Sequence, residues 1–123
     1  MLEKITNRQV VRSINGMGSF KRSGSKGPVK LMYAINKNLE KMLEAIKPFE
    51  TSKQELLDKY CEVLENGAVI PKKENRKALD SELGELLDIE IEVEVFEIPF
   101  ALVEDVQMSS EEFDAIEFMI EKE

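Results

Sequence analysis

The sequence predicts an α+β fold: a long kinked central helix in a helical hairpin, with a short antiparallel sheet element and a C-terminal helix. Three patterns carry that expectation. Met32, Ile35, Leu39, Met42, Ile46, Phe49, Leu56, Tyr60 and Val63 recur in steps of three and four, with Lys53 filling the one gap. That spacing draws one apolar stripe along a helix covering about residues 29–64. Ile89, Ile91, Val93 and Val95 then alternate with Glu90, Glu92 and Glu94, the period of a half-buried strand with an acidic outer face. Finally, Ser109 and Glu112 form a capping box ahead of Phe113, Ile116, Met119 and Ile120, which share one side of a helix beginning near Ser110.

Taken in order, the elements begin at Thr6, which with Gln9 fits a capping box for a first helix; Ile5 can staple to Val10. Val10, Val11 and Ile14 are its apolar side, and Gly16 is where it is expected to stop. The next stretch, 15–27, reads NGMGSFKRSGSKG, and its glycines and serines predict a loop. Pro28 suits the first turn of the long helix, and Leu31, Leu43, Leu57 and Leu64 widen its stripe into a packing face. Pro48 lies within the stripe and lacks an N–H, so it predicts a kink; a break with Thr51 or Ser52 capping a second helix is the rival. The stripe keeps its phase across Pro48, which favours one bent helix.

Asn66-Gly67 marks a turn before a short apolar run, Ala68, Val69 and Ile70, which Pro71 stops. Residues 72–88 read as a helix with Ala78, Leu79, Leu83, Leu86 and Leu87 inward, folding back on the long helix. Beyond Val95 the apolar set changes parity to Phe96, Ile98, Phe100 and Leu102, and a bulge there would restore the facing. The 68–70 run is the expected strand neighbour, and two strands alone leave an open edge. A homo-oligomer is therefore expected.

Composition narrows the chemistry. A chain of 123 residues is expected to be a single domain, 1–123, with a modest and largely aliphatic core, since aromatics are only 7% and Trp is absent. The start has no secretory apolar run and no stretch is long enough to span a bilayer. The lone Cys61 cannot form an intramolecular disulfide and suits a reducing compartment. With no histidine, His-dependent catalytic pairs and His-containing zinc sites are excluded. Nothing pairs a nucleophile with a base, so the chain reads as a non-enzyme with no cofactor. Carboxylates two apart on a strand stand about 7 Å from one another, too far for a compact metal site.

The net charge of −8 divides unevenly. Residues 1–41 hold nine basic side chains against Glu3 and Glu40, about +7, and the remainder about −15. A basic end of this kind binds phosphates or complements the acidic body. The 15–30 stretch meets neither the Walker loop nor the dinucleotide fingerprint. It does supply the parts of an anion site: Lys21, Arg22 and Lys26 for charge, Ser19, Ser23 and Ser25 for hydrogen bonds, and Phe20 for stacking. Arg8 and Arg12, four apart on the first helix, and Lys30 and Lys37 on the long helix, can extend the patch. The alternative is a solvated linker.

Several segments together resemble a family of small proteins of unknown function encoded by phages and prophages of Gram-positive bacteria. They are PVK at 28–30, YAINKNL at 33–39, KPFETSKQELLDKY at 47–60, ELGELLDIEIEVEV at 82–95 and SSEEFDAIEFMI at 109–120. The basic loop is longer here than that pattern has it. The resemblance implies the host cytoplasm as compartment and carries no catalytic residues. The basic N-terminal third, the Gly/Ser loop and Phe20 favour a non-catalytic sponge for a phosphorylated nucleotide messenger of host antiviral defence; the alternative is a structural or tail-assembly protein working through protein contacts. A long nucleic acid fits poorly with the acidic remainder.

Overall fold

The chain enters as a strand, β1 (Leu2–Thr6), in the computed structural model, which describes residues 2–23 and 27–121. Its partner is the acidic strand, here β4 (Glu90–Glu94), in antiparallel register with Ile5 opposite Ile91 and Lys4 opposite Glu92. Ile91 and Val93 turn inward and the three glutamates outward, as the alternation requires, but Ile89, which lies ahead of the strand, is exposed and not on the inward face expected of it. Within LEKIT only Ile5 packs against the core, so no period-2 pattern marked this segment as a strand.

The expected neighbour, 68–70, pairs elsewhere. Cys61–Val63 and Val69–Pro71 form a local hairpin, β2 and β3, around Asn66-Gly67. Gly67 sits at φ +85°, and Asn66 Oδ1 accepts from the Ala68 N–H at 3.0 Å. Adjacent strands joined by such a turn close only a short loop, so β3 is taken by β2 before it can reach β4. The long helix therefore ends at Tyr60, short of residue 64.

The first helix, α1 (Asn7–Arg22), begins where expected, with Thr6 Oγ1 accepting from the Gln9 N–H at 3.1 Å. It does not stop at Gly16. It continues through Gly18 to Arg22, so most of the expected loop is helix. Asn7, Val10, Ser13, Gly16, Met17 and Phe20 make its buried face, and packing along that face offsets two glycines worth about 1 kcal/mol each in helix propensity.

Helices α2 (Val29–Ala45) and α3 (Lys47–Tyr60) are the two arms of the kinked central helix, interrupted only at Ile46. The Ile46 N–H still donates to Met42 O, and Ile46 O still accepts from the Glu50 N–H, both at 3.0 Å. Pro48 removes one ladder donor and bends the path without resetting the stripe. Leu31, Ile35, Met42, Ile46 and Phe49 are buried; Lys53, in the stripe's gap, is exposed.

After a 3-10 turn at Lys73–Asn75, α4 (Arg76–Leu87) folds back against α3 and completes the helical hairpin. Leu79 is buried and Leu83, Leu86 and Leu87 are partly so, while Ala78 faces outward. Near this contact the Lys59 ammonium is held above its ordinary pKa, first by the Tyr60 side chain and then by Glu82. Asn7 ties the start of α1 to the end of α4: its Nδ2 donates to Leu86 O at 2.9 Å and its N–H to Ile89 O at 3.0 Å.

Past Glu94 the strand ends, and no bulge carries it on. The buried Asn38 of α2 takes over the pairing at Phe96, accepting from its N–H at 2.8 Å and donating to its carbonyl at 2.9 Å. Ile98 then bridges Ile120, and Phe100–Leu102 is a 3-10 turn. The last helix, α5 (Ser110–Ile116), has both halves of the Ser109–Glu112 capping box and runs into a 3-10 turn at Glu117–Met119. Its Ile116 and the following Met119 join one hydrophobic cluster with Val10, Met17, Phe20, Ile35, Met42, Val93 and Ile98.

Candidate functional site

Helix geometry separates several of the described residues expected to form the anion site. At 100° per residue Ser19 lies on nearly the same side of α1 as Arg12, whereas Lys21 points about 180° away. Phe20 is 1% exposed and packs in the core, so it cannot stack on a base. It continues the inward face of Val10, Ser13 and Met17, a periodicity hidden by the glycines around it.

Arg8 stands at the other end of α1, about 21 Å along the axis from Arg22. It is committed to Asp88, its Nη2 lying 3.2 Å from the carboxylate. Lys21, Arg22 and Lys30 are exposed. Ser23 closes α1, its hydroxyl donating to Phe20 O at 2.8 Å. Ser25 and Lys26 lie outside the described residues.

A cleft of about 810 Å³ opens between α1 and α5. Gly16 and Ala115 meet along its floor, so closely that a Cβ on residue 16 would collide with the Ala115 Cβ. Arg12, Asn15 and Ser19, spaced i, i+3 and i+7, form the α1 wall. Glu111, Glu112 and Asp114 of α5, with Glu117 and Phe118 just beyond, form the other. One basic side chain thus faces four carboxyls. That balance suits a cation and opposes a phosphate. Glu112 is 8% exposed; its Oε1 accepts from the Ser109 N–H at 2.9 Å, and its Oε2 is buried with no hydrogen-bond partner.

Two exposed apolar areas lie elsewhere. In the β2–β3 hairpin every residue from 62 to 70 is exposed, Val63 at 72% and Val69 at 54%. On the outer side of α2, Tyr33 meets Phe96 edge to face with ring centroids 5.5 Å apart, and the Lys37 ammonium lies 5.9 Å from the Tyr33 ring. Nothing in the spacing marks this pair, because Tyr33 falls between stripe positions and Phe96 opens an alternation that reads as continuing strand.

Among the described residues no three His, Cys, Asp or Glu side chains gather as a metal would require, and no helix is long and apolar enough to cross a membrane. Comparison with protein family models, curated proteins and solved structures finds no match.

Proposed function

We propose that this chain is a non-catalytic protein–protein interaction module that assembles through its β2–β3 hairpin, with a second copy of itself as the partner. One observation carries the reading. The hairpin presents Val63, Leu64, Val69 and Ile70 to solvent and contributes nothing to the hydrophobic core. Among the described residues each of its strands pairs only with the other, which leaves each an outer edge of backbone donors and acceptors. A two-stranded hairpin is marginal in water, and edge pairing between copies would both cover the apolar side chains and satisfy those edges. This agrees with the structural or tail-assembly alternative, working in the host cytoplasm that the phage-family resemblance implies.

The test is sedimentation of the wild type beside a Val63→Ser/Val69→Ser double variant, which changes one cross-strand pair. The wild type should associate at micromolar concentration, and the variant should be monomeric with its melting temperature held. A wild-type monomer overturns the reading.

A second reading keeps capture of a small phosphorylated nucleotide messenger and the anti-defence role with it. The Tyr33–Phe96 pair favours it: an exposed aromatic edge with Lys37 beside it, and Lys30 earlier on α2, combines stacking with charge. Calorimetry with cyclic nucleotides and ADP-ribose tests it, using Tyr33→Ala and Lys37→Ala. Absence of binding below about 100 micromolar, roughly −5.5 kcal/mol, removes it.

A further inference from the structure

We propose that the hairpins of two copies join through β2 alone, antiparallel about a two-fold axis at Val63, and that Pro71 closes the β3 edge so that assembly stops at a dimer. This rests on the assembly reading above and adds to it the edge, the register and the limit.

The backbone decides which edge is available. Leu64 N–H donates to Ala68 O at 2.8 Å, and Lys72 N–H to Tyr60 O at 3.0 Å. Those bonds fix the parity of the ladder, so Glu62 and Ile70, opposite one another midway between them, turn their N–H and C=O groups toward each other. Cys61 and Val63 on β2, and Val69 and Pro71 on β3, therefore turn theirs to the outer edges.

The two edges are unequal. Proline has no N–H, and at Pro71 its ring occupies the place where an edge donor would stand. At the other end of β3 the Gly67 N–H is already donated to Leu64 O at 2.9 Å. Val69 is left as the single full pairing position on that side. On β2 no ring intrudes. Val63 presents both groups, the Cys61 carbonyl points outward while its N–H donates to Leu57 O, and the Glu65 N–H makes no hydrogen bond among the described residues.

The register follows from charge. With Val63 on the axis, its N–H and C=O meet those of its counterpart, Cys61 O meets the Glu65 N–H of the other copy, and Glu62 faces Leu64. Moving the axis to Glu62 sets two carboxylates directly opposite one another, which is destabilising. It also spends a pairing position on the Cys61 N–H, which α3 already uses. The hairpin is free to meet a second copy: no residue from 50 to 82 joins the hydrophobic cluster, so α3 and α4 carry β2 and β3 clear of the core. Pairing of β2 with β3 of another copy would leave an open edge at each end and grow into a filament. The proline on β3 opposes that growth.

One thiol per chain reads the edge and the register. In a Cys61→Ser background, Val63→Cys sets two thiols across the axis with Cα atoms about 5.5 Å apart, and a short thiol crosslinker matched to that spacing should join the two chains. Val69→Cys in the same background keeps its thiols three strand spacings apart, about 14 Å, and should link about tenfold more slowly or less. Cysteine is itself a small apolar residue, so either variant keeps the contact. Pro71→Thr returns a donor to the β3 edge and should sediment as species larger than the dimer at concentrations where the wild type forms none. Faster linking at Val69 than at Val63, linking at neither while the wild type sediments as a dimer, a wild type that grows past the dimer, or a Pro71→Thr variant that still stops there overturns the inference and leaves the assembly reading standing. A wild-type monomer removes both.

Discussion

Replacing Gly16 by alanine tests the packing of α1 on α5 directly. In an open helix such a change removes backbone freedom from the unfolded chain and gains about 0.5–1 kcal/mol. Gly84 in α4 provides that reference, since a Cβ there meets nothing within 4 Å. At Gly16 the added methyl collides with the Ala115 Cβ and comes within 3.2 Å of Glu111 O. Both obstacles belong to α5 backbone or to a side chain with no rotamer to change, so relief requires the helix to move. Overpacking of this kind costs about 1–3 kcal/mol.

The two variants should therefore separate by about that amount, roughly 4–12 °C in melting temperature for a chain of this size. Gly84→Ala should lie above the wild type and Gly16→Ala below it. Adding Ala115→Gly to Gly16→Ala exchanges the small residue across the contact. The cycle should then return a favourable coupling of about 1 kcal/mol or more. Urea denaturation of the wild type, Gly16→Ala, Ala115→Gly and the double variant measures it. If Gly16→Ala is as stable as Gly84→Ala, the close approach of the two helices is wrong, and so is the shape of the cleft above it.

Substitutions at three further positions bear on the core and the stripe. Phe20→Ala should cost about 3–5 kcal/mol by urea denaturation, as a buried aromatic does; an unchanged midpoint would mean that the ring is exposed after all. Asn38→Leu leaves both backbone groups of Phe96 without their partner and should cost about 2–4 kcal/mol. Asn38→Asp keeps the acceptor for the Phe96 N–H but loses the donor, so it should fall between Asn38→Leu and the wild type in the same titration. Lys53→Leu should shift stability by no more than about 0.5 kcal/mol, because the side chain is exposed. A fall of several degrees in its melting scan would show instead that the charge is needed.

Local signals in the sequence determined much of the helical framework. The phase of Ile35, Met42, Ile46 and Phe49, the kink beside Pro48, the Thr6 and Ser109 caps, the Asn66-Gly67 turn and the inward set of the acidic strand all depend on residues within one or two turns of each other. Tertiary structure alone decided what pairs with what. LEKIT becomes a strand because β4 needs an edge partner, and Gly16 stays helical because Ala115 requires a residue without a side chain opposite it. Asn38 is buried because the backbone at Phe96 needs a donor and an acceptor where the sheet ends.

The candidate site divides along the same line. The basic and serine-rich composition of 15–30 was plain in the sequence, but α1 turns Ser19 and Lys21 to nearly opposite sides and buries Phe20. The cleft is formed by residues about a hundred positions apart, such as Arg12 and Asp114, and long-range contact leaves no periodic trace in either segment. Spacing along the chain fixes which side of an element a residue occupies; only packing decides which side chains share a cleft and what charge it holds.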